Sequence, residues 1–146
     1  LANEESKKDS AMRSLRDVAE TAGEVAQPFW TAMLERRIEI PFCNACGRAF
    51  FYPRRFCPHC RSAQVSWIQA SGRGSVFAAT VIHVPFPGIQ AEDIPLAAGL
   101  VDLAEGIRIP ARFVLESLPK VGDAVIACFR DGFGGFPVFL PEGAGA

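Results

Sequence analysis

The stretch Cys43-Asn44-Ala45-Cys46-Gly47, followed by Cys57-Pro58-His59-Cys60, decides the fold. Its spacing is C-x2-C-x10-C-x2-C. Two residues between cysteines let one tight turn aim both thiolates at a single ion. Gly47, directly after the first pair, supplies the positive-φ backbone that such a knuckle commonly needs. Two facing knuckles place four sulfurs in a tetrahedron, the closed geometry of a structural zinc site. Zinc is the expected cofactor; iron is the alternative, because rubredoxin-type sites use the same ligands. Disulfide pairing is the other use of four cysteines, but the doubled C-x2-C spacing favours the metal. A closed site leaves no position for a reacting water, so catalysis by the metal is not expected.

Working outward, Ile38, Ile40 and Phe42 alternate and predict a short strand leading into the first knuckle. Ala49–Tyr52 and Val65–Ile68 predict two more, which together make a zinc ribbon over residues 38–71. Residues 72–146 read as all β, with strands expected near 75–84, 96–103, 107–115, 123–130 and 136–140. Glu105-Gly106 predicts a tight hairpin, and Leu118–Asp123 a turn feeding the fourth of these strands. Five strands with a short irregular crossing between the third and fourth fit an OB-type barrel. Ser71-Gly72-Arg73-Gly74 is too short for a phosphate-binding loop and reads as a flexible junction into the barrel. Upstream, residues 1–37 read as a helical segment. Met12, Leu15, Ala19 and Ala22 recur at helical steps behind Ser10 as N-cap, Gly23 interrupts, and Pro28 suits the first turn of a second helix. The fold class is therefore mainly β with N-terminal helices, a rubredoxin-like zinc ribbon followed by a five-stranded OB-fold barrel.

Hydrophobic residues make up 49% of the 146-residue chain and charged ones 21%, which are globular values outside the disordered regime. No apolar run reaches the length of a membrane span, and the polar, charged start from Leu1 to Asp17 reads as neither signal peptide nor anchor. Leu1 in place of Met reads as a start inside a longer chain. Paired cysteines kept as metal ligands point to a reducing compartment, so a cytoplasmic location is expected.

Between Ile40 and Ala91 there is no Asp or Glu, while Arg48, Arg54, Arg55, Arg61 and Arg73 all lie there. One role is neutralising the formal −2 charge of a zinc tetrathiolate. A second is binding an anionic ligand, because arginine forks match phosphate oxygens. Nucleic acid is the other polyanion, but lysine is scarce (Lys7, Lys8 and Lys120) and net charge is −1, which argues against it. A catalytic constellation is missing. His59 sits inside a filled knuckle, His83 reads as a packed strand residue, and Cys128 as a buried one in Val125–Phe129. Phe29 and Trp30 are adjacent on a helix, so they point about 100° apart. Either both pack against the ribbon or one faces a partner, which makes them partner-binding candidates.

Taken together, Phe29-Trp30, the CNACG knuckle, Phe51-Tyr52-Pro53-Arg54, the CPHC knuckle, Trp67 and Gly72-Arg73-Gly74 form a specific order. From about Pro28 to Pro141 the chain closely resembles the zinc-ribbon and OB-fold family once catalogued as domain of unknown function thirty-five, often called acyl-CoA-associated. The resemblance implies a non-catalytic small subunit working with a thiolase-fold protein, in a hetero-oligomer of two plus two chains. The partner would supply the catalytic residues, and the small subunit would stabilise it and help form the acyl-CoA site. The reaction would be thiolysis, retro-aldol cleavage or acyl transfer. Arg48, Arg54, Arg55 and Arg73 are the CoA-phosphate candidates on residue chemistry alone; the family pattern does not assign them. A nucleic-acid-binding ribbon–barrel protein is the alternative, and a free-standing acyl-CoA carrier a third reading.

Overall fold

A computed structural model describes residues 15, 18–85, 91–131, 133 and 135–142. Ser10 and Met12, part of the expected first helix, lie outside the described residues. Leu15 and residues 18–21 are helical, with Leu15 fully buried. Helix α1, Gln27–Leu34, follows, with Pro28 in its first turn, where a missing N–H leaves no bond unmade. It stops where Arg36 takes a left-handed φ of 61° and the Arg37 amide reaches back to the Ala32 carbonyl.

Strands β1, Glu39–Cys43, and β2, Val65–Gln69, pair antiparallel as the ribbon, with Ile40 opposite Ile68 and Cys43 opposite Val65. The expected strand at Ala49–Tyr52 does not form. A single bridge joins Phe42 and Ala49, and the Phe50 amide donates to the Pro41 carbonyl. Pro41 has no N–H to return, so the ladder ends after one step.

The barrel is closed in the order β3-β4-β5-β7-β6, from β3, Arg73–Ile82; β4, Leu96–Leu103; β5, Arg108–Phe113; β6, Ala124–Phe129; and β7, Pro137–Pro141. Only β5 and β7 pair in parallel, and β3 closes on β6. The chain crosses from β5 to β6 through a short 3-10 turn at Leu115–Ser117. The β4–β5 hairpin turns at Glu105-Gly106, closed by the Leu103 amide on the Ile107 carbonyl. The five barrel strands match expectation to within two residues. Ending β3 at Ile82 leaves His83 exposed rather than packed.

Alternation sends Ile109, Ala111 and Phe113 of β5 inward, against Val101, Val125 and Phe139. The core does not stop at the barrel. Leu15, Phe29, Met33, Ile38 and Ile40 belong to the same buried cluster, so α1 and the inner face of the ribbon close one end of it. One apolar core thus runs through helix, ribbon and barrel residues. The Gly72–Gly74 junction is tightly packed rather than loose. A Cβ on Gly74 would stand 2.4 Å from the Asp102 carbonyl oxygen, closer than any real contact, so glycine is required there by proximity.

Candidate metal centre

The two knuckles are built alike. In the first, the Gly47 amide donates to the Cys43 carbonyl (2.9 Å) and the Cys43 amide to the Arg48 carbonyl (2.8 Å). In the second, the Arg61 amide donates to the Cys57 carbonyl (2.8 Å) and the Cys57 amide to the Ser62 carbonyl (2.9 Å). Gly47 (φ 72°) and Arg61 (φ 64°) occupy the same left-handed position. Only the first could be read from residue type.

The Sγ atoms of Cys43, Cys46, Cys57 and Cys60 lie within 4.8 Å of one another. Cys43 and Cys60 are 3.5 Å apart, and Cys46 and Cys57 3.7 Å. A tetrahedron with Zn–S bonds of about 2.3 Å has edges of about 3.8 Å, so the sulfurs fit such an ion. Cys43 and Cys57 are buried, while Cys46 and Cys60 are exposed as residues but turn their sulfurs into the cluster.

Amides surround the sulfurs. The His59 amide points at Cys57 Sγ (3.3 Å). The Cys46 amide, helped by that of Ala45, lowers the Cys43 thiol to about 7. Burial of its sulfur among the others pushes Cys46 up to about 12 against the pull of the Arg48 amide. The Ser62 amide lowers Cys60, yet the adjacent Cys43 sulfur and burial leave it raised on balance. Four thiols therefore do not ionise together unaided. A bound cation would stabilise four thiolates here, with amide dipoles offsetting their surplus charge. Cys128 lies half-buried in β6 opposite Val138, apart from this cluster and less buried than expected.

Fold contacts redistribute the arginines. Arg73 meets Glu142 at 3.6 Å, so the acid-free stretch is not acid-free in space. Arg48 lines a groove of about 500 Å3 between ribbon and barrel, with His59, Phe42, Ile68 and Glu105. Arg54, Arg55 and Arg61 are exposed, and no carboxylate pairs with them among the described residues. The candidates therefore divide among the first knuckle (Arg48), the loop between the knuckles (Arg54 and Arg55) and the start of β3 (Arg73). Glu105 was not foreseen: one carboxylate oxygen accepts from the Ser71 amide (3.2 Å), tying the β4–β5 hairpin to the ribbon–barrel junction. Its other oxygen is buried without a partner. No local signal marks such a contact, made across 34 residues.

Of the two partner candidates, Phe29 is a core residue, 4% exposed, and cannot present a surface. It is held edge-on by Trp30 and tilted against Phe51, with centroids 5.0 and 5.2 Å away. Trp30 is half-buried and donates its indole N–H to the Tyr52 hydroxyl (3.1 Å).

Residues 30–66 match the ChsH2 rubredoxin-like zinc ribbon domain and residues 67–130 the ChsH2 C-terminal OB-fold domain. A DUF35 domain-containing scaffold protein of Methanocaldococcus jannaschii is 34% identical over 106 residues, covering 69% of this chain and 74% of that one. The chain belongs to the DUF35 family. A second relative of this DUF35 chain, a probable enoyl-CoA hydratase alpha subunit of Thermomonospora curvata, is 36% identical over 87 residues. That match covers 59% of the DUF35 chain but only 27% of the longer relative, so the chain spans about a quarter of it. Among solved structures, the "Ltp2-ChsH2(DUF35) aldolase" superposes with a TM-score of 0.69 at 28% identity, over 83% of this chain and 97% of that one. The four-cysteine cluster, which could hold a metal ion, lies within the zinc-ribbon match, and no described helix is long and apolar enough to cross a membrane.

Proposed function

We propose that this DUF35 chain is the non-catalytic accessory subunit of a cytoplasmic enzyme complex acting on acyl-CoA, with structural zinc in its ribbon. The partner is a thiolase-fold protein in a two-plus-two assembly, which supplies the reacting groups. The observation that carries the reading is the likeness over 97% of a chain described as part of an Ltp2-ChsH2 aldolase. That word favours retro-aldol cleavage over thiolysis or acyl transfer. The closed sulfur tetrahedron is consistent with it, since four ligands leave no open position for chemistry. Of the arginines, Arg48 is the best placed for a CoA phosphate, because it lines a groove rather than an open surface.

The test is co-expression with candidate thiolases and purification through a tag on this chain. A thiolase-fold protein should come through in equal amount, and acyl-CoA turnover should need both chains. Turnover by the purified chain alone, or a cognate thiolase fully active and stable without it, would defeat the proposal. Salt-dependent retention on single-stranded DNA with no thiolase bound would favour the nucleic-acid alternative.

A further inference from the structure

We propose that Trp30, Tyr52, Arg54, Arg55 and Phe56 form one docking face, and that its occupant is an acidic segment of the partner enzyme. This rests on the accessory-subunit reading. Three exposed aromatic rings are found among the described residues: Tyr52 at 43%, Phe56 at 59% and Phe77 at 44%. Phe77 is already covered. The Arg108 guanidinium lies 3.3 Å from its ring centroid and is itself clamped by both Asp102 oxygens (2.6 and 3.1 Å). Phe56 has no ring or cation over it among the described residues.

Trp30 and Tyr52 are locked in place by their mutual hydrogen bond and by packing on Phe29 and Phe51. Ordered aromatics that present an apolar face lose little freedom on docking, which is how interface anchors are built. Charge selects the occupant. Arg36, Arg37, Arg73 and Arg108 each have a carboxylate partner. Arg54 and Arg55, between the two exposed rings in sequence, have none among the described residues and lie in a stretch without a single acid. Two guanidinium forks without a carboxylate partner among the described residues, set in sequence between the held Tyr52 ring and the exposed Phe56 ring, suit carboxylates carried next to apolar side chains.

The test compares wild type with Arg54→Glu/Arg55→Glu and, separately, Phe56→Ser, using the thiolase-fold chain that co-purifies in the experiment above. Both variants change exposed side chains, and their metal content and melting temperature are measured alongside. Charge reversal should weaken capture by about a hundredfold or more, Phe56→Ser by about tenfold or more, and wild-type capture should fall with rising salt. If wild type holds the thiolase and the charge-reversed chain holds it equally tightly, the face is wrong while the accessory role stands. If wild type holds no thiolase-fold chain, the accessory role fails first. Intact capture with weakened binding of CoA alone, or of single-stranded DNA, would assign the arginines to that anion and overturn the inference.

Discussion

Replacing Gly47 by alanine probes the metal centre through its backbone. With φ at +72°, an added Cβ would meet no atom within 4 Å, so the cost is torsional alone. Holding an L-residue there costs about 1–2 kcal/mol. The stiffer unfolded chain offsets about 0.4–1 kcal/mol of that, leaving a net loss of about 0.8 kcal/mol at mid-range and about 1.6 kcal/mol at most. Ribbon folding and metal capture are one equilibrium, so Gly47→Ala should bind metal roughly two- to tenfold more weakly. Arg61 already bears the same strain at φ 64°, so Arg61→Gly should move affinity the opposite way, by a similar or smaller factor. Competition against a chromogenic chelator, with both variants and wild type side by side, reads the difference. Unchanged affinity in Gly47→Ala, or weaker binding in Arg61→Gly, would refute the equivalence of the two knuckles.

Cys46→Ser or Cys57→Ser should abolish stoichiometric metal by elemental analysis, whereas Cys128→Ser, away from the cluster, should keep it. Cys46 at about 12 and Cys60, also raised, are protonated at neutral pH without an ion. Binding therefore displaces at least these two protons, and apparent affinity should fall about a hundredfold for each pH unit of acidification, read by chelator competition at several pH values. A slope of zero would show that the sulfurs are not the ligands. Gly99→Ala would place a Cβ 1.9 Å from the Ala78 carbonyl oxygen across the β3–β4 pair, and should cost about 3 kcal/mol in denaturant unfolding. Phe29→Ala, which empties a buried ring site, should cost about 3–5 kcal/mol in the same assay.

The barrel strands were legible because alternation is a local property: Ile109, Ala111 and Phe113 announce an inward face whatever lies opposite. Ala49–Tyr52 misled for a reason also local but easily overlooked. The residues favour a strand, yet their partner is Pro41, and pairing needs donors from both sides. The glycines at the ribbon–barrel junction suggested flexibility, whereas contact with Asp102 makes at least Gly74 a packing requirement. His83 misled because a two-residue difference in where β3 ends moves a side chain from strand to exposed loop.

The sequence by itself determined the four-sulfur site, because each pair of ligands lies within one turn of chain and the turn's geometry follows from its spacing. It also determined the order of ribbon and barrel. Only the tertiary structure decided which arginines are free, since Arg73 meets Glu142, and which aromatic faces outward, since the shared core takes Phe29 and leaves Trp30 at its edge. Charge pairing and burial depend on what the fold brings from far along the chain, and no window of neighbouring residues contains that information.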